Sequence, residues 1–243
     1  VYVALGFAGP DGVGWDVESA LHAQGLWRRH DRFIVDPALG NGAVPYDLEV
    51  CADNKILVSG QINGNPDLWI TRLGAVSSRP RWRTLDLYTM GDACYGLAAT
   101  SVLFVNAVGG QPAKLVVAGF GVAGGGEEAY HWMTRESSLE PSKGELSWEN
   151  ALFQLEADCH CFALDAESDP EGRLLVLGVA GTAEDSMLLL RRSWDRGASW
   201  EDLATYPGIA RPLDARLAVS GDGTYVAIAN EAMGAVVLGC AGS

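Results

Sequence analysis

Five short apolar phrases recur along the chain: "VYVALGF" from Val1, "ILVSGQ" from Ile56, "LVVAGFG" from Leu115, "LLVLGVA" from Leu174 and "YVAIAN" from Tyr225. Four of them carry a glycine at a matching place, Gly6, Gly60, Gly119 and Gly178, and Ala229 takes that place in the fifth. The period is about 50 to 60 residues, the size of a repeated supersecondary unit rather than of one element. Runs rich in Val, Leu and Ile, bounded by Gly, Asn and Asp, read as strands. Other phrases keep step with them. A second strand follows in "DLWITRL", "AYHWMTRE", "SMLLLRRS" and "AVVLGC", with Thr71-Arg72, Thr134-Arg135 and Arg191-Arg192 at equivalent places. Trp27, Trp82, Trp148 and Trp200 then each open a third strand. A further strand precedes each later phrase, in "YDLEVCAD", "CYGLAAT", "CHCFALDA" and "DARLAVSGD".

Each period therefore holds about four short strands. One such sheet cannot cover both of its apolar faces and has to stack on its neighbours. The expected fold is all-β: a β-propeller of four-stranded antiparallel blades in a single domain, 1–243. Four complete periods with a fragment at each end give about eighteen strands. The expected closure is five blades with incomplete terminal blades; closure by a second chain, or within a longer protein, are the alternatives.

The formal charge of −14 repels nucleic acid and anionic membranes, so neither is an expected partner. No apolar run reaches the roughly 18 residues of a membrane-spanning helix, and a soluble protein is expected. The chain opens on Val1 rather than methionine, which leaves targeting open. Its location is left between virion-associated and extracellular. The five cysteines, Cys51, Cys94, Cys159, Cys161 and Cys240, include no CxxC pair and read as buried reduced thiols.

One stretch is more specific. In "RRSWDRGASWEDL", Ser193, Asp195, Gly197, Ser199 and Trp200 follow the pattern Ser/Thr-x-Asp-x-Gly-x-Ser/Thr-Trp. This resembles the Asp-box, or BNR repeat, of sialidase-like β-propellers, at the place in the blade where that family has it, between the third and fourth strands. The equivalent turns, such as "SALHAQGLW" and "TRLGAVSSRPRW", keep the Trp and lose the Asp and Gly. Asp195 can accept backbone N–H groups of its own turn, Gly197 supplies a conformation that a Cβ penalises, and Trp200 can pack between blades. The expected role of all five is structural.

A sialidase-type glycoside hydrolase would need three arginines converging on a carboxylate, a Tyr/Glu pair and an acid/base aspartate. Arg72, Arg135, Arg192 and Arg216, with Tyr46, Tyr95, Asp47 and Glu49, are candidates by type. Three of these arginines repeat with the blades, which repetition alone produces. The starts of the innermost strands offer a channel-rim ligand site at Tyr46, Asp47, Tyr95, His160 and Asp214. Cys159 and Cys161 share one strand face; thiolates suit Zn²⁺, but packing is the expectation, with neither metal nor cofactor. Trp69 and Trp132 share a position and are expected to pack between blades rather than stack on sugar. "VAGGGEEAY" reads as a long loop. The function expected first is a non-enzymatic structural, assembly or binding module, with other protein chains as partners, as in a phage or virus particle. A lectin-like glycan-binding propeller is the alternative, and a glycosidase comes last.

Overall fold

A computed structural model of the chain describes residues 2–9, 12–20, 27–51, 55–75, 81–91, 96–122, 129–138, 146–153, 159–169, 171–182, 185–208, 214–220, 223–230 and 234–241, with side chains, except at residue 214, up to residue 220. Among the described residues every regular element is a strand: β1 (Tyr2–Gly9), β2 (Gly12–Ala20), β3 (Trp27–Ile34), β4 (Gly42–Cys51), β5 (Lys55–Asn63), β6 (Leu68–Ala75), β7 (Arg83–Tyr88), β8 (Ala98–Val105), β9 (Lys114–Val122), β10 (Tyr130–Ser138), β11 (Trp148–Phe153), β12 (His160–Ser168), β13 (Leu174–Gly181), β14 (Ser186–Ser193), β15 (Glu201–Pro207), β16 (Asp214–Ser220), β17 (Gly223–Asn230) and β18 (Gly234–Ala241). They form five antiparallel meanders in chain order, β1–β3, β4–β7, β8–β11, β12–β15 and β16–β18. The three central sheets have four strands each and the first and last have three. The architecture is propeller-like.

The five apolar phrases are β1, β5, β9, β13 and β17. In β5, β9 and β13 the sequence is apolar on both sides of the pleat because both faces are covered, the condition that turns an alternating pattern into a continuous one. Every residue of β13 is buried, as are Ile56–Gly60 of β5 and Leu115–Gly119 of β9. β1 departs from this rule: its phrase is as apolar as the others, yet Leu5 is 52% exposed. The fourth strands β7, β11 and β15 are largely exposed or half-buried, and their sequences are correspondingly polar.

Contacts divide the chain into two compact units, 1–102 with 121–126, and 103–120 with 127–243. In the first, Trp15, Val17, Ile56, Val58, Ile62 and Ile70 form a core to which Phe33 and Trp82 add partly buried rings. In the second, Ala118, Trp132, Cys161, Val176 and Leu189 form one cluster, and Leu175, Leu177, Leu188 and Leu190 another. Trp15, on β2, and Trp132, on β10, each lie over a glycine of a neighbouring sheet. A Cβ at Gly60 would stand 3.0 Å from the Trp15 ring and 2.3 Å from the Val44 carbonyl oxygen. At Gly178 it would stand 2.5 Å from the Trp132 ring and 2.2 Å from the Phe162 carbonyl oxygen. The matching Gly6 has its nearest atom at an ordinary 3.4 Å.

These three glycines, at matching places in the repeated phrase, are therefore expected to respond differently to one added methyl. Gly60→Ala and Gly178→Ala are expected to lose about 1–3 kcal/mol, the cost of overpacking a closed interior. Gly6→Ala is expected to stay within about 0.5 kcal/mol of the parent. Urea denaturation of the three variants checks the ordering, and equal losses at all three would refute it.

Candidate functional site

The turn between β14 and β15 is held by its own side chains. Asp195 Oδ1 accepts the Ser199 N–H at 2.7 Å and the Ser193 hydroxyl at 2.8 Å, while Oδ2 accepts the Ser199 hydroxyl at 2.5 Å. The Gly197 N–H donates to Ser193 Oγ at 2.6 Å. Gly197 has φ +106°, and a Cβ there would also run into the Glu136 carboxylate. Lys114 Nζ completes the seat, donating to Glu136 Oε2 at 2.5 Å and to the Arg196 carbonyl. Burial raises the Glu136 carboxyl, against the pull of Lys114. All three acceptor roles of Asp195 are taken up inside the turn, and Trp200 packs partly buried against the core of the second unit.

The rim candidates separate into different roles. In the first unit the Tyr46 hydroxyl donates to Gln61 Oε1 at 3.1 Å, and the Gln61 amide donates to Asp67 at 3.2 Å. Asp67 in turn accepts the Gly64 and Gly96 N–H groups at 3.0 and 2.7 Å. Burial, and then the Asp67 charge, push the Tyr46 phenol up. Asp47 sits at a register shift of β4 and reaches the next innermost strand, accepting the Ser101 hydroxyl at 3.0 Å and the Val102 N–H at 2.9 Å. Asp165 repeats this in the second unit: it follows a register shift in β12 and accepts the Leu217 N–H of β16 at 2.8 Å. Asp47 is thus tied into an inter-strand clamp with an internal twin. Asp214 opens β16 opposite Ala229. Tyr95 lies outside the described residues, as do Cys94 and most of the "VAGGGEEAY" loop.

His160 opens β12 and joins a group that sequence reading did not assemble. Its ring lies 5.6 Å from Tyr130 and stacks at 6.4 Å on Phe162. Phe162 lies 4.7 Å from Tyr130 and 5.0 Å from Phe120. All four rings are half-buried at strand ends, and His160 Nδ1 has no partner among the described residues. They come from three strands separated in sequence, so no local motif announces them. Cys159 and Cys161 belong instead to the packed core around Ala163 and Val176. Among the described residues no three His, Cys, Asp or Glu side chains converge as a metal site would need. Ser19 and His30 form another pair unseen in sequence, Oγ to Nε2 at 2.6 Å, but His30 is 4% exposed and its Nδ1 has no described partner to orient it.

The arginines are engaged one by one. Arg72 pairs with Asp31 at 3.2 Å and lies 4.4 Å over the Phe33 ring. Arg135 bonds Asn150 and lies 5.5 Å over Trp148. Register pairs Arg72 with Thr84, Arg135 with Asn150 and Arg191 with Asp202. The member of the repeated set is therefore Arg191, which lies 3.8 Å over Phe153, and not Arg192 as the dipeptide suggested. Arg192 bonds Glu201 at 2.8 Å beside the exposed Trp194. Trp15, Trp69 and Trp132, at 0 to 2% exposure, are interior side chains beyond the reach of a stacking sugar.

No protein-family model matches the sequence, and no relative is found among curated proteins. Solved structures do match. A sialidase from Trypanosoma rangeli aligns at TM-score 0.51 and 9% identity, over 90% of this chain and 38% of its own. A polysaccharide lyase, the PL25 ulvan lyase, aligns at TM-score 0.54 and 9% identity over 90% of this chain and 57% of its own. The same lyase bound to -[GlcA(1-4)Rha3S]- aligns at 0.52 and 9% identity, over 89% of this chain and 57% of that one. The likeness is one of fold. This chain is sialidase-like in architecture and spans about 40 to 60% of the length of the structures it matches. No helix among the described residues is long and apolar enough to cross a membrane.

Two titrations follow from these environments. The bonds from Ser199 hold the Asp195 carboxyl down to about 2, below the roughly 3.9 of an unfolded aspartate. Its contribution is therefore complete above about pH 4 and fades as pH falls toward the folded value. Asp195→Asn is expected to flatten the melting-temperature profile between those limits relative to the parent, and parallel profiles would refute the assignment. Burial pushes the Cys51 thiol up to about 12, so at neutral pH it has almost no thiolate. Iodoacetamide is expected to label Cys51 slowly in the native protein and rapidly in urea, read by peptide mass spectrometry.

Proposed function

We propose that this chain is a carbohydrate-binding module on a propeller-like scaffold of five blades, three-stranded at each end, whose ligand surface includes Phe120, Tyr130, His160 and Phe162. The observation that carries this reading is the half-buried ring cluster itself. Aromatic faces at strand ends suit the C–H faces of a pyranose, while the Tyr130 hydroxyl can direct a hydrogen bond to a sugar hydroxyl. The solved structures of like fold support it, since a sialidase and a polysaccharide lyase both act on glycans. A non-catalytic role is supported by the arginines, each drawn to a ring, an acid or an amide of its own surroundings. Nothing observed favours a virion component.

A glycan array probed with the native chain, followed by calorimetric titration of the best oligosaccharide, tests the proposal. Binding is expected, with a loss of about tenfold or more in Tyr130→Ala, the size of one well-placed aromatic contact. Fluorogenic sialoside and uronate-containing polysaccharide are expected to remain uncleaved. Absence of binding across the array, or unchanged affinity in Tyr130→Ala, would overturn the assignment, and turnover of either substrate would overturn its non-catalytic part.

A further inference from the structure

Two inter-sheet seams, one in each unit, are built from matching residues. In the first, Trp15 and Val17 of β2 face Phe33 and Asp31 of β3 in register, and Arg72 and Trp82 come from the next sheet. In the second, Trp132 and Thr134 of β10 face Phe153 and Ala151 of β11 in the same register, and Arg191 and Trp200 come from the next sheet. Four of the six places keep their residue type, and at a fifth Val17 is answered by Thr134 of similar shape. The sixth differs: a buried carboxylate, Asp31, is replaced by the methyl group of Ala151.

The consequences are visible in both seams. Asp31 accepts Arg72 Nε at 3.2 Å, and its side chain is only 8% exposed; Trp82 Nε1 donates to the His30 carbonyl at 2.9 Å. In the second seam a hollow of about 30 Å³ is lined by Ala151, Thr134, Arg191, Trp200, Trp132 and Phe153. Trp200 forms one side of it, with its Nε1 buried out of reach of water and without a partner among the described residues. Arg191 spends its Nε on the exposed Asp202 at 2.8 Å, and no described residue takes its terminal amino groups. Thr134 brings a hydroxyl where the first seam has the apolar Val17. Thr134 and Arg191 thus border a space whose counterpart contains a carboxylate. The volume suits two waters or the oxygens of one carboxylate group, at the roughly 10–15 Å³ each such atom requires.

We propose that this hollow is a binding site for a carboxylate group, which takes the place that Asp31 holds in the first seam. A guanidinium beside a hydroxyl-bearing residue favours an anion, and the flat fork of Arg191 favours a carboxylate over a spherical halide. The carboxylate comes either from a small free acid or from an acidic sugar.

The probe is acetate, followed through tryptophan indole N–H signals in NMR, with the Trp200 signal identified by its loss in Trp200→Phe. That signal is expected to shift saturably with sodium acetate and not with sodium chloride of equal ionic strength. Ala151→Asp, which supplies the carboxylate from within, is expected to abolish the shift. Thr134→Val, which copies the first seam and changes no volume, is expected to weaken acetate about tenfold, one hydrogen bond to a charged group. A second arm uses methyl glucuronoside. A response to acetate alone identifies a free acid as the ligand, and a response to both identifies an acidic sugar. No saturable shift with either, an equal shift with chloride, or a Thr134→Val protein indistinguishable from the parent would overturn the proposal.

Discussion

The contact on which the stacked sheets depend is an indole ring laid over a glycine. A sheet whose central strand is apolar on both faces has no stable existence alone, and it must be approached closely by another sheet on each side. Side-chain layers normally hold such faces about 10 Å apart. At Gly60 and Gly178 the local absence of a Cβ lets Trp15 and Trp132 descend onto backbone, so the largest side chain meets the smallest. Each ring then serves as the floor for the next layer: Trp15 packs on Phe33 at 4.9 Å and Trp132 on Phe153 at 5.6 Å, edge or tilt contacts of the favoured kind. Arg72 and Arg191 close these stacks from above. The order glycine, tryptophan, phenylalanine, arginine links central strand to outer strand in both units.

Polar groups buried by this stacking are handled by a second repeated device. Innermost strands converge, and a register shift at Asp47 and at Asp165 turns each carboxylate toward the adjacent innermost strand. There it accepts a backbone N–H that the ladder of that strand leaves over. Buried backbone donors require partners, so a carboxylate at this place joins neighbouring sheets as well as satisfying a strand edge. The Asp195 turn does the same work at the outer edge, bonding inward to itself while Lys114, paired with Glu136, holds the Arg196 carbonyl from the preceding sheet.

Strands and their order were legible because burial on both faces writes itself into sequence as runs such as "LLVLGVA", and because Trp82 and Trp200 stand at one fixed place before the fourth strands. All five apolar phrases proved to be strands, and the eighteen strands among the described residues agree with the about eighteen read from the period. Sites were far less legible. Asp47 was readable as a polar residue near a rim, but its partner Ser101 lies 54 positions away. Arg191 and Arg192 are neighbours of one type, and only the register shift between Leu190 and Arg191 decides which of them joins the repeated stack. The ring cluster of Phe120, Tyr130, His160 and Phe162 depends on which strand ends meet, information that periodicity does not contain.

Repetition also supplies the sharpest test of what each position is for. Where both seams keep a residue, as with the paired tryptophans or the paired phenylalanines, packing explains it and no ligand is needed. Where one copy abandons the pattern, the surroundings show whether the loss was compensated. At Asp31 and Ala151 it was compensated only in part: the Arg191 Nε turns to the exposed Asp202, and no described residue takes its terminal amino groups. A seam drifting without constraint would be expected to fill with apolar groups, because an unpaired buried donor costs about 1–3 kcal/mol. Instead the second seam has one more polar group than the first, Thr134 for Val17. Donors kept and added around a lost acceptor are what a site for an external acceptor requires.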